Sequence, residues 1–347
     1  MSTAPSASGE TGGSQLMDGA PQRLGLRYRW DAVRPLPVWQ AARGHEVRRE
    51  DGVRQRWALA AAAATGVQVG AAMVASRYVV HEAGPATLTF VRYVVAVLLI
   101  SPWLLRMKRP RFGVRDFWAL AGLGVLQFGV QIALLNVGLA FLPAVRASVL
   151  FNTFPLMTML IAAVLGREKL TAAKCLGALL AFLGVAATFG DAVLAGVSAR
   201  EWPGVLAVLA AATVGALATV LTRPYVPRHG TLAVGGLAMA ATVVAMLPPA
   251  LAEGMIATLP ALGATGWAAL VFIGMSSGVG YMLWLTALRH ASASHATLFL
   301  SLSPPTAVLL GVALLGEPFT LWLAIGLALV VAGLAVAVLG GQRASRA

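Results

Sequence analysis

One plan is written twice in this chain, and both copies lie in stretches apolar enough to cross a membrane. Residues 139–186 and 288–335 align without a gap. At this fixed offset Pro155 falls on Pro304, Glu168 on Glu317 and Thr171 on Thr320, while Gly177 meets Gly326 and Gly184 meets Gly333. Ser148 and Asn152 meet Thr297 and Ser301. Each copy is an apolar helix with a mid-span proline, a Glu-x-x-Thr corner and a second apolar helix punctuated by glycine. Chance alignment of Leu and Ala would not bring Pro, Glu, Thr and both glycines into register.

Composition says where such a repeat lives. Hydrophobic residues make up 59% of the 347 and charged residues 11%, against about 25% charged in a soluble domain. Mean hydropathy is +0.80. Runs of roughly 20 apolar residues, each able to cross a hydrocarbon core of about 30 Å, recur along the chain. Their length predicts helices, not a barrel. The single cysteine, Cys175, rules out an intrachain disulfide and reads as a small buried apolar side chain.

Ten spans are expected, near 57–77, 86–105, 117–140, 145–165, 171–190, 203–222, 231–252, 264–287, 293–315 and 318–340. Residues 1–56 carry no apolar run and read as a disordered cytoplasmic tail, not a signal peptide. Lys and Arg set the orientation. Arg106, Lys108, Arg109, Arg111 and Arg115 lie between spans two and three, with further basic residues at 167–174, 223–228, 289 and 343–346. The opposite face shows only Arg77, Arg146 and Arg200 at span ends. Both termini are therefore expected in the cytoplasm. The net charge of +13 is spread over separate loops, so it marks topology and not a nucleic-acid groove. Five spans per half send the second half into the membrane from the other side, which predicts two inverted repeats, 57–190 and 203–340.

These residues resemble a family. The alanine- and serine-rich helix entry, the mid-helix proline, the corners Gly166-Arg167-Glu168 and Gly316-Glu317-Pro318, the threonine and the glycine-rich helix are similar to the EamA domain of the drug/metabolite transporter superfamily, matched twice in order. Arg92 corresponds to an arginine typical of the first EamA copy. The resemblance covers about residues 57–340. It implies an all-α, ten-helix carrier of the inner membrane with a central cavity, a small-molecule substrate and no cofactor. It leaves a homodimer open.

Candidate functional residues follow from helix faces, because polar groups in a span need partners. Gln127 and Gln131 are four apart in span three. Ser277, Tyr281 and Trp284 share a face of span eight. Ser148, Asn152 and Pro155 line up in span four, as Thr297, Ser301 and Pro304 do in span nine. These faces are expected to line one cavity. The structural alternative is interhelical hydrogen bonding at about 0.6 kcal/mol per bond, and the hydroxyls can also bond back to their own helices. Pro155 and Pro304 each free a carbonyl and suit a gating hinge or a static kink. Arg92 lies inside span two, where it binds a substrate carboxylate or phosphate, holds a helix end, or reaches the outer interface near Glu82. Arg146 and His295, equivalent by the repeat, are candidate outer and inner gates or interface anchors. Glu168 and Glu317 are expected to cap or fix the turn before the next helix.

Other classes lack their residues. No Asp or Glu falls at the centre of a span, no phosphate-binding loop is present, and His81-Glu82 has no second histidine to complete a zinc helix. An intramembrane enzyme is thereby disfavoured, and no metal is expected. The leading expectation is an exporter of a small metabolite such as an amino acid. A drug, nucleobase or nucleoside exporter of the same fold is the alternative.

Overall fold

The computed structural model describes residues 46–107, 112–167, 172–188, 190, 200–290 and 302–344, and among them it is helical throughout, joined by turns. Side chains of 46–59, 62, 174, 284–290 and 337–344 fall outside that description. So do residues 1–45, Glu168, His295, Thr297 and Ser301, together with the side chain of Trp284. Arg48–Ala347 forms one compact unit.

The helices are α1 (Glu46–Ala83), α2 (Pro85–Arg106), α3 (Val114–Phe141), α4 (Ala144–Val164), α5 (Ala172–Ala187), α6 (Trp202–Thr222), α7 (Thr231–Ala252), α8 (Ala264–His290), α9 (Ser303–Leu315) and α10 (Leu321–Ala344). Among the described residues α2, α3, α4, α6, α7 and the Ala264–Leu283 part of α8 are long and apolar enough to cross a membrane. Shorter apolar segments lie in α5, α9 and α10.

Three boundaries depart from expectation. Helix α1 begins at Glu46, inside the stretch read as a tail, and runs on to Ala83. Its end is set by Gly84, whose φ of 81° breaks the helix before Pro85 opens α2. Proline costs nothing there, because its missing N–H would have had no partner. Helix α10 starts at Leu321, three residues late. Thr320 is its cap, since its Oγ1 accepts the Leu323 N–H at 3.3 Å.

Glu317 corrects the expectation made for it. Its carboxylate leaves its own corner and caps α4, with Oε1 accepting the Ala144 N–H at 2.7 Å and Oε2 the Val145 N–H at 2.9 Å. Glu253 does the same for α2, accepting the N–H groups of Ala86 at 2.9 Å and Thr87 at 2.7 Å. In both cases a carboxylate satisfies two donors that a helix start leaves orphaned and sits at the positive end of the helix dipole. Arg77 works at the other kind of terminus, donating to the last carbonyls of α3, Leu139 and Ala140. Arg146 pairs with Glu201 at 2.6 Å. All of these contacts gather at the one end of the bundle where α1, α3 and α7 finish and α2, α4 and α6 begin.

Packing runs across the two sequence repeats. Helix α2 lies against α7 and α8, α3 against α6 and α7, and α5 against α10. Val79, Leu88, Ile100, Leu139, Leu150, Val208 and Leu270 are fully buried between them. In the α5–α10 crossing a Cβ on Gly184 would lie 2.7 Å from the Gly326 carbonyl oxygen, and one on Gly333 2.5 Å from that of Gly177. Small residues let two helix backbones approach this closely.

Candidate substrate site

Span three is not a uniform α-helix. Residues Val125–Val130 form a π-turn inside α3, a rare conformation that concentrates at functional sites. It holds Gln127 and Phe128. Gln127 donates to the Gln131 Oε1 at 2.9 Å, and its own Oε1 accepts the Thr219 hydroxyl of α6 at 2.9 Å. Gln131 lies against Gly215 of α6. The two glutamines do share a face, and they also tie α3 to α6.

Phe128 connects this amide chain to the rest of the cluster. Its ring sits 5.4 Å from Tyr93 of α2 and 6.5 Å, edge to face, from Tyr281 of α8. Beside Tyr93, the Arg92 Nε donates to the Ser277 Oγ, one helical turn before Tyr281. The proposed alternative for Arg92, a reach toward Glu82, is not what the structure shows. Ser277 also donates to the Ile273 carbonyl at 2.9 Å, so it bonds back to its own helix and receives Arg92 at once. Tyr281 donates to the Thr231 carbonyl and lies against Gly235 of α7. Gln68 of α1 lies against Gly280 from the other side.

Five of the expected residues thus fall into two groups, Gln127 with Gln131, and Arg92 with Ser277 and Tyr281, which meet only through the chain neighbours Gln127–Phe128 and Arg92–Tyr93 and the ring contacts of Phe128. Asn152 is not joined to them by any recorded contact. It sits at a break in α4, between Ala144–Phe151 and Phe154–Val164, with its Nδ2 buried and unpartnered. The break follows from Pro155, which has no N–H to offer the Phe151 carbonyl. The Thr153 hydroxyl then bonds the Leu150 carbonyl at 2.7 Å. Ser148 bonds the Val145 carbonyl, within its own helix. Pro304 is buried at the start of α9. Arg146, a candidate gate or interface anchor, lines a small recess with Pro143, Thr188, Pro318 and Thr320 at the capped end of the bundle.

Sequence reasoning missed Thr219, Tyr93, Phe128 and Gln68. Thr219 and Gln68 were readable as isolated polar residues in apolar runs, whereas the aromatic residues look like ordinary core. It also missed Asn136, which is fully buried and donates to Thr89 Oγ1 at 3.1 Å and to the Pro85 carbonyl at 3.3 Å, pinning α3 to the start of α2. Among the described residues no cluster of His, Cys, Asp or Glu could hold a metal ion.

Comparison with known proteins decides the family. Residues 56–190 and 202–339 each match the EamA-like transporter family. The chain belongs to the EamA-like transporter family. A relative from Streptantibioticus cattleyicolor, described as a probable terminal-alkyne amino-acid exporter, is 34% identical over 75% of this chain and 85% of its own. An uncharacterized transporter of Archaeoglobus fulgidus is 26% identical over 78% of this chain and 94% of its own. A solved crystal structure shares the fold, with a TM-score of 0.56 and 24% identity over 81% of this chain and 98% of that one. This EamA protein is accordingly a multi-pass membrane transporter, not an enzyme, and its partner is a small-molecule substrate in the membrane.

The Gln127–Thr219 bond gives a modest prediction for this EamA chain. Thr219→Val removes the hydroxyl with little change of shape and should cost about 0.6 kcal/mol, the usual size of such a bond between membrane helices. Thermal unfolding in detergent would read a small downward shift. A loss of several times that size would make the amide chain a structural pillar.

Proposed function

We propose that this EamA-family protein is a secondary carrier that exports a small amphiphilic metabolite, an amino acid or a related compound, by alternating access. The observation that carries the reading is the linked cluster of amides, hydroxyl, guanidinium and aromatic rings on α2, α3 and α8. Polar and charged groups are expensive inside a bilayer and mark substrate paths. An amphiphile suits them, with its polar end on the amides and guanidinium and its apolar end on the rings of Tyr93, Phe128 and Tyr281. The similarity to the amino-acid exporter of Streptantibioticus cattleyicolor supports the substrate class and the direction.

The mechanism rests on a pair of contacts. The repeat offset carries Gly184 onto Gly333 and Gly177 onto Gly326, so it exchanges the Gly184–Gly326 contact with the Gly333–Gly177 contact. Helices related in this way cross antiparallel about a local two-fold axis. That supports ten spans arranged as two inverted five-helix repeats, each able to take the other's conformation. The Asn152–Thr153 break before Pro155 is the hinge in this reading, and the basic loops support a protein of the inner membrane with both termini in the cytoplasm.

Purified protein in detergent, heated against amino acids, nucleosides and common drugs, tests the substrate class. A ligand of the folded state raises its apparent stability by mass action. Amino acids, including terminal-alkyne ones, should shift the transition, and Gln131→Ala should reduce the shift. A response confined to nucleosides or drugs would contradict the amino-acid assignment.

A further inference from the structure

The position of Arg92 is not explained by helix packing. It lies seven residues into α2, about 10 Å along the axis from its start at 1.5 Å per residue. A guanidinium offers five N–H donors and no acceptor. Here the Nε is used, on Ser277, and among the described residues the two terminal nitrogens have no hydrogen-bond partner. Among the described residues no carboxylate pairs with it. Neither Pro85–Arg106 nor Ala264–His290 contains an Asp or Glu, and the nearest acids along the sequence, Glu82 and Asp116, lie at the ends of other helices. Asp116 is already bonded to His229 at 3.0 Å. A charged side chain inside a membrane almost always pairs with another group or with backbone carbonyls. Arg92 has a hydroxyl.

We propose that Arg92 is the anion site of the carrier, and that the missing counter-ion is a carboxylate on the substrate, gripped by the terminal nitrogens. This rests on the carrier reading and narrows it. Planar guanidinium and carboxylate meet through two parallel hydrogen bonds, a geometry the fixed Nε–Ser277 bond leaves open on the far edge of the group. The ring of the adjoining Tyr93 and those of Phe128 and Tyr281 form the apolar wall for the rest of the molecule. No Asp or Glu falls at the centre of a span to face a cation. Substrates are therefore zwitterions or monocarboxylates with a compact apolar tail, and organic cations that lack a carboxylate are excluded.

The test uses three probes with one carbon skeleton: L-leucine, L-leucinamide and 4-methylpentanoate, with L-propargylglycine added. Binding to the full chain in detergent is read from saturable shifts of thermal unfolding. Wild-type protein should respond to the three carboxylates and not to the amide. Arg92→Gln should weaken carboxylate binding by about 30-fold or more, as expected when one side of a desolvated charge pair is removed. Arg92→Lys keeps the charge but loses the fork, and should retain the carboxylate preference at reduced affinity. It also covers the case in which Arg92→Gln does not fold. Equal response to L-leucinamide, an unchanged carboxylate response in Arg92→Gln, or no response to any carboxylate overturns the assignment. The two readings fail separately. Transport of cations by intact protein would remove the anion site and leave the carrier, whereas carboxylate binding without transport would leave the site and remove the carrier.

Discussion

Glu317→Ala should be among the most damaging single substitutions in this protein. It orphans the N–H groups of Ala144 and Val145, which are 0% and 1% exposed and have no water to turn to. Hydrogen bonds to a charged group contribute about 1.5–3 kcal/mol, and each buried donor left unpaired costs about 1–3 kcal/mol. A loss of about 3 kcal/mol is expected, with the start of α4 released from the corner before α10. Glu317→Gln keeps an oxygen for one of the two donors and should lose roughly half as much. Thermal unfolding of the two variants checks the order. Glu317→Ala within about 0.5 kcal/mol of wild type would mean that the cap is dispensable.

The second large effect is expected at the α5–α10 crossing. Gly184→Val puts a branched side chain where the Gly326 carbonyl and Val330 already stand. Overpacking of this kind costs about 1–3 kcal/mol when neighbours can yield, and backbone cannot yield as a side chain does. The helices must separate, so both stability and transport should fall. Gly333→Val presses on the Gly177 carbonyl at the contact the repeat exchanges with the first. It should fall to a similar degree. A marked difference between the two, measured by unfolding and by flux, would argue against a local two-fold axis at this crossing.

Much of this was legible in the sequence because the evidence is local or repeated. The glycines 177, 184, 326 and 333 stand in register in two copies, and in the structure they meet one another. The limits of α6 and α7 could be read from Trp202-Pro203 and Gly230, since proline and positive-φ glycine end or begin helices wherever they occur. Pro155 announced a disturbance in α4, and the break lies immediately before it.

What was not legible depends on partners distant in sequence. Glu317 caps residues 172 and 173 positions away, and nothing in its own corner distinguishes that from a local cap. The π-turn of α3 is invisible because an apolar run looks the same with 3.6 or 4.4 residues per turn. It nevertheless sets where Gln127 and Phe128 stand. Arg92 could be seen as buried charge, yet its choice of Ser277 over Glu82 needed α2 and α8 side by side.

Counterflow in liposomes tests the central claim most directly. Protein is reconstituted into vesicles loaded with millimolar unlabelled L-leucine, and uptake of trace labelled L-leucine is followed. A carrier that exposes one site alternately to each side exchanges label for cargo, so a transient, saturable overshoot is predicted, and it should vanish in vesicles loaded with L-leucinamide. Linear, unsaturable entry that ignores the internal load would contradict alternating access and describe a pore instead.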